Sequence, residues 1–216
     1  MTTTTDVLSP VRTHRGALIA LAVAGPVAIA ALRGVLPYST ADDPATVVER
    51  IAAAPGAQSA VLWLSYLALL TLPLGLLIVT RVAVAARRVL GLVGGTIAWL
   101  GYLSLFFMVA TDQIPLAGPA AGLTSAQTLA LTDAVTAHPT QAVALALFVT
   151  GHILGTVLLG IALWRAVPWW AALALAVSQP LHLVFAVVLP VPALDVAAWL
   201  LTAVGFGVAA SRRLTP

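Results

Sequence analysis

Residues 134–164 read AVTAHPTQAVALALFVTGHILGTVLLGIALW and contain no Asp, Glu, Lys or Arg. A helix needs about 20 residues to cross the hydrocarbon core of a bilayer, so this stretch predicts a transmembrane helix. Five further stretches are also free of charged residues: 16–32, 51–80, 89–111, 166–194 and 196–211. The sequence therefore predicts an all-α protein, a polytopic transmembrane bundle of six helices.

The composition of the chain excludes a water-soluble fold. Of its 216 residues, 61% are hydrophobic and 8% are charged, whereas soluble domains carry about 25% charged residues. The apolar stretches also lack the alternation of period two that marks a membrane β-barrel. Membrane lipid is therefore the expected partner. The net charge of +3 gives no reason to expect nucleic-acid binding, and the oligomeric state stays open.

The arginines predict how the helices are oriented. We place a disordered cytoplasmic tail at 1–13 and a single transmembrane domain at 14–213, with spans at about 14–33, 58–80, 89–111, 141–164, 167–190 and 195–211. All arginines except Arg33 and Arg50 then fall on the side of the two termini. The positive-inside rule therefore predicts a multi-pass protein of a bacterial cytoplasmic (inner) membrane, N-in and C-in.

The chain also resembles itself. Pro139 follows Pro55 by 84 residues, Arg165 follows Arg81 by the same offset, and the two spans between them match without a gap. Before each proline lies a helix-like segment, at about 43–54 and 125–137, and the first begins with Asp43-Pro44, which is typical of a helix N-terminus. The pattern favours a tandem parallel repeat of helix pairs with short outer amphipathic helices.

Polar side chains inside the predicted spans are the candidate functional residues, because polar groups are costly in a bilayer. His152 lies near the middle of span four and His182 in span five, so neighbouring helices can bring the imidazoles together. Their faces also carry Thr156 and Gln179, one turn away. The candidate ligand-binding set is His152, Thr156, Gln179, His182, Tyr66 and Tyr102, and the candidate catalytic residues are His152, His182, Gln179 and Asp112.

Several functions fit these residues. The cluster is suited to a lipophilic small molecule bound in a site that opens outward. The two histidines also suit the axial positions of a b-type haem. No other metal site is expected, because the absence of cysteine excludes thiolate sites and neither His14 nor His138 supports a site by itself. A neutral histidine acting as a base would make the protein an enzyme for a lipid or isoprenoid-like substrate. Alternatively, both histidines are only hydrogen-bonded within the bundle, and the protein has a structural or accessory role.

The run GHILGTVLLGIALWRAVPWWAALALAVSQPLHL, residues 151–183, carries a resemblance to a known group of proteins. A Gly-rich span ends in LWR, a short turn with Pro and Trp follows, and the next span ends close to a His. In this respect the chain resembles small six-span integral membrane proteins of actinobacteria that have no established activity. The resemblance implies the membrane class and a bacterial source, and it implies no reaction.

Overall fold

A computed structural model describes residues 14–212, and the predicted tail at 1–13 lies outside this range. The described residues form α1 (His14–Val35), α2 (Pro44–Ala53), α3 (Pro55–Ala86), α4 (Arg88–Thr111), α5 (Ile114–Ala120), α6 (Ser125–Thr136), α7 (Pro139–Leu163), α8 (Trp169–Leu183) and α9 (Pro192–Ala210), and a π-helical segment (Val184–Val188) continues α8. Six of these helices are long and apolar enough to cross a membrane: α1, α3, α4, α7, α8 with its π-helical segment, and α9. The prediction of an all-α six-helix transmembrane bundle is confirmed.

The six long helices form a closed ring. Each packs against the next long helix in the chain, and α9 packs against α1. Consecutive helices alternate in direction, so the start of α1 and the end of α9 lie at the same end of the bundle, where the Arg15 guanidinium donates a hydrogen bond to the carbonyl of Ser211. We call this the terminal end.

Three short helices cover the opposite end of the bundle, which we call the capped end. Helices α2, α5 and α6 pack against one another there. Asp43 begins α2 by accepting hydrogen bonds from the backbone N–H groups of Ala45 and Thr46, and Thr124 and Gln127 form a capping box that begins α6. Helices α2 and α6 thus occupy the positions expected for the two outer helices.

The structure corrects the sequence analysis at several helix boundaries. The sequence does not predict helix α5, because Pro115, Gly118 and Pro119 are typical of a loop. The structure nevertheless forms a helix at Ile114–Ala120. Helix α3 has 32 residues and is about 48 Å long at 1.5 Å per residue, so it extends well beyond the expected 58–80. Helix α9 begins at Pro192 and not at Asp195. Asp195 therefore lies inside a membrane-length helix and does not mark its edge.

Small residues allow α4 and α7 to approach closely. A Cβ atom added at Gly151 would lie 2.7 Å from the Cα of Gly101, and one added at Gly155 would overlap the backbone of Ala98. Close backbone approach of this kind is typical of small residues in membrane helix pairs. The contact fixes the height of α7, and with it the position of His152, relative to α4.

We predict that Gly155→Ala destabilises the protein while Gly56→Ala does not. A methyl group at Gly155 would overlap backbone atoms, whereas one at Gly56 meets no atom within 4 Å. Overpacking costs about 1–3 kcal/mol, and alanine at an open helical position is favourable by up to about 1 kcal/mol. Thermal unfolding in detergent should show a lower Tm for Gly155→Ala only, and equal Tm values for the two variants would contradict the proposed close contact.

Candidate functional site

Five aromatic rings from four helices meet inside the bundle. The imidazoles of His152 on α7 and His182 on α8 have ring centroids 5.8 Å apart. Tyr102 on α4 lies 6.0 Å from the His152 ring, and Trp199 on α9 lies 5.2 Å from the His182 ring. Phe148 stacks on His152 at 4.3 Å. We call these five residues the ring cluster.

The hydrogen bonds of His152 define its tautomer. Its Nδ1 faces the carbonyl oxygen of Phe148, one turn earlier on α7. A carbonyl can only accept a hydrogen bond, so Nδ1 carries the proton and donates it. Nε2 is then the unprotonated acceptor nitrogen. It is buried and has no hydrogen-bond partner among the residues that the structure describes.

His182 is held by a buried carboxylate. Asp195 on α9 is completely buried, and its two oxygens accept hydrogen bonds from Nδ1 of His182 and from Nε of Arg33 on α1. The indole nitrogen of Trp199 lies 3.1 Å from the same Nδ1. Because Nδ1 cannot donate to Asp195 and accept from Trp199 at once, the carboxylate, which Arg33 keeps in place, favours a proton on Nδ1. In the neutral form of this ring, Nε2 of His182 is then the acceptor nitrogen.

Four residues of the ring cluster, all except Tyr102, line the inner end of a cavity of about 320 Å³ that all six long helices help to line. This volume falls within the range of about 300–1,000 Å³ that is usual for small-molecule sites. His152 and His182 line the cavity together with Arg33 and Trp199. Most of the remaining wall is apolar: Ile29, Leu32, Leu36, Val61, Leu105, Met108, Val109, Leu145, Phe148, Val149, Leu183, Ala186 and Val187. The cavity is thus an apolar space with polar groups at defined points.

A second polar region lies towards the capped end. Asp112 follows α4, Tyr38 follows α1, and both line the cavity. Burial, and then the nearby charge of Asp112, raise the pKa of the Tyr38 phenol above its usual range, so its hydroxyl stays protonated. Ser65 of α3 lies between this region and the histidines on the cavity wall. The two ends of the cavity therefore both carry hydrogen-bonding groups.

Two residues of the cavity wall, one on α7 and one on the π-helical segment, are also exposed. Leu145 and Val187 line the cavity from these two elements, and 46% and 59% of their surfaces are exposed. The hydroxyl of Thr40 donates a hydrogen bond to the carbonyl of Ala186 and so anchors the π-helical segment to the loop after α1. π-helical turns are frequent at functional sites.

The other residues singled out from the sequence take different places. Thr156 is buried below the cavity, with its hydroxyl 3.4 Å from that of Tyr102. Gln179 is also buried and points to α9, where it donates a hydrogen bond of 2.7 Å to Thr202. Neither lines the cavity. Tyr66 is 55% exposed and lies in a separate shallow groove, so the structure does not bring it to the ring cluster.

Arg33, Asp195 and Trp199 belong to the site, and the sequence analysis did not include them. Asp195 was assigned to the start of a span, and Arg33 was used only for topology. One signal was present, since Pro192 is a favoured first residue of a helix and places Asp195 in the first turn of α9. Among residues 14–212, no group of three or more His, Asp or Glu side chains converges to hold a metal ion.

A scan against protein-family models finds no match, and searches of curated proteins and of solved structures find no significant match either. The geometry of the chain itself therefore carries the functional argument.

We predict that Asp195→Asn strongly destabilises the protein. The change removes the charge that compensates Arg33, whose side chain is only 15% exposed, and breaking a buried ion pair costs about 3–5 kcal/mol. Arg50→Gln is the matched control, because it breaks the exposed pair of Arg50 with Asp42, and such pairs contribute about 0–1 kcal/mol. Unfolding in detergent should separate the two variants clearly, and similar losses would argue against the buried network.

Proposed function

We propose that this protein is a multi-pass protein of a bacterial cytoplasmic membrane that binds a lipophilic small molecule in the cavity at His152 and His182. The observation that carries the proposal is the cavity itself. Residues from all six long helices surround it, two imidazoles line its inner end, and Nε2 of His152 has no hydrogen-bond partner among the described residues. Apolar walls with a few well-placed polar groups are the usual composition of a small-molecule site.

The position of the opening supports a ligand that comes from the membrane. Leu145 and Val187 line the cavity and are exposed on membrane-length elements, so an opening between them would face lipid. A molecule dissolved in lipid would meet this opening without crossing the bundle. A water-soluble ligand would have to pass the cap formed by α2, α5 and α6, which makes it the less favoured occupant.

We further propose that the terminal end is cytoplasmic and the capped end is outside. Among the described residues, the arginines other than Arg33 and Arg50 lie at the terminal end, which is the distribution that the positive-inside rule requires for an N-in, C-in protein. With this orientation the cavity lies in the outer half of the bundle.

The orientation predicts the labelling of introduced cysteines. The chain contains no cysteine, so Ser125→Cys at the capped end and Ser211→Cys at the terminal end are single labelling sites. In intact cells a membrane-impermeant maleimide should label the first variant and not the second, while both should react after lysis. The reverse pattern would overturn the orientation.

A b-type haem is the second candidate, and one observation favours it. A histidine that binds a metal through Nε2 usually donates from Nδ1 to a carbonyl or carboxylate, as both His152 and His182 do. The surroundings of the two rings favour a smaller ligand. Tyr102 and Trp199 have ring centroids 6.5 Å apart and each lies beside one of the histidines, so they close one side of the space into which a macrocycle would have to extend.

Catalysis on a lipid or isoprenoid-like substrate is the third candidate. The His182–Asp195 pair has the arrangement of a general base with its orienting carboxylate. Such an enzyme would bind its substrate in the same cavity. A binding protein and an enzyme would therefore both bind a lipophilic molecule there.

We predict that Val149→Trp abolishes the co-purification of a lipophilic molecule and that Leu147→Trp does not. Val149 lines the cavity, so an indole there would fill it, whereas Leu147 on the same helix is 44% exposed and faces outward. Mass spectrometry of solvent extracts should find a compound enriched with wild type and Leu147→Trp, and depleted with Val149→Trp.

Absorbance spectra of the same preparations separate the candidates. Colourless protein from haem-replete cells would exclude the haem function. A Soret band that disappears in His152→Ala would replace the present proposal with the haem one. If the compound enriched with wild type also co-purifies with Val149→Trp, the cavity is not the binding site.

A further inference from the structure

We propose that the molecule bound in the cavity is an alcohol or phenol with an apolar body, and that its hydroxyl group donates a hydrogen bond to Nε2 of His152 or His182. The inference rests on the proposed function and adds the chemical class of the ligand. It follows from the direction of the hydrogen bonds around the two imidazoles.

Both imidazoles line the cavity, and each neutral ring has one acceptor nitrogen. Nδ1 of His152 donates to the carbonyl of Phe148, and Nδ1 of His182 donates to the carboxylate of Asp195. A neutral imidazole has one donor and one acceptor nitrogen, so each Nε2 has a lone pair directed away from these partners. Since the ring centroids are 5.8 Å apart, one small polar group can lie close to both nitrogens.

The protein leaves the acceptor of His152 without a donor. Its Nε2 is buried and lacks a partner among the described residues, and the His152 side chain lines the cavity. Buried polar atoms are nearly always hydrogen-bonded to protein, water or ligand. The site is therefore incomplete until a molecule with an O–H or N–H group supplies the missing proton donor.

The charges at this end of the cavity favour a hydroxyl over the other groups. A carboxylate, ether or ketone has no proton to donate to Nε2. An ammonium group has protons to donate, but Asp195 is already paired with Arg33 and His182, and an unpaired charge is costly in an apolar interior. A hydroxyl group is uncharged, donates one hydrogen bond and accepts others, so it fits both the imidazoles and the guanidinium.

The inner end takes one hydroxyl, and the capped end is suited to a second polar group. Asp112 lines the cavity there, and its backbone carbonyl accepts a hydrogen bond from Gln58. Its carboxylate is an acceptor only, so a donor group on the ligand would suit this end. An apolar molecule with a hydroxyl at one end, and a further donor at the other, matches the two ends.

The experiment compares 4-hexylphenol with its methyl ether, 4-hexylanisole. The two probes have the same apolar body, and only the phenol can donate a hydrogen bond. Equilibrium dialysis in detergent measures the binding of each probe to the wild-type protein. The variant Val149→Trp, in which the indole fills the cavity, gives the amount of probe that dissolves in the detergent micelles. We expect wild type to bind the phenol at least about ten-fold more tightly than the ether, the ratio that one hydrogen bond to a buried acceptor supplies.

One variant tests the acceptor nitrogen of His152, and a second variant is its control. His152→Phe keeps an aromatic ring and leaves the Asp195 network intact, and it should reduce the preference for the phenol to less than about three-fold, which is below the contribution of one hydrogen bond. Tyr66→Phe is the control, since it removes a hydroxyl that lies outside the cavity, and it should keep the full preference. An unchanged preference in His152→Phe would remove His152 from the hydroxyl site.

The outcomes distinguish the inference from the proposed function. Equal binding of both probes to wild type, with loss of both in Val149→Trp, would overturn the hydroxyl inference and leave the cavity as a lipophilic site. Binding that Val149→Trp does not reduce, or no binding of either probe, would count against the proposed function as well.

Discussion

The buried carboxylate of Asp195 joins three of the six long helices. It lies on α9 and accepts hydrogen bonds from Arg33 on α1 and His182 on α8. The ring of helices closes where α9 meets α1, so this network is located at the closure. An ion in an apolar interior is stable only when it is paired and hydrogen-bonded. The position of α8, and therefore of His182, depends on the same carboxylate.

The other half of the site depends on backbone contact. Gly101, Gly151 and Gly155 bring α4 and α7 so close that added Cβ atoms would meet the facing backbone. This contact places His152 beside Tyr102 and directs it to the interior. One imidazole is therefore positioned by an ionic network and the other by helix packing. The two mechanisms are independent, which is why substitutions at Asp195 and at Gly155 test different parts of the structure.

The fold class can be predicted from the sequence, because a helix that crosses lipid must be long and free of charged residues. Six charge-free stretches gave six spans, and the turn between α7 and α8 was short enough to predict that His152 and His182 are neighbours. The hydrogen-bond partners of His182 could not be predicted from the sequence. Arg33 and Asp195 are 162 positions apart in the chain, and only the closure of the ring brings them together. The direction of Gln179 towards Thr202 likewise depends on how α8 is rotated against α9.

The distribution of packing explains where the cavity lies. Towards the terminal end, Gly160 faces Ala172 and Ala176 so closely that an added Cβ would lie 2.7 Å from that of Ala176, and no room remains between α7 and α8. Towards the capped end the same two elements border the cavity. Replacing a buried ionic network by apolar residues is often neutral or stabilising, so stability alone does not require Arg33, Asp195 and His182 here. Arg33 and His182 line the cavity and Asp195 lies behind them, so the network supplies the polar groups that the proposed ligand would contact.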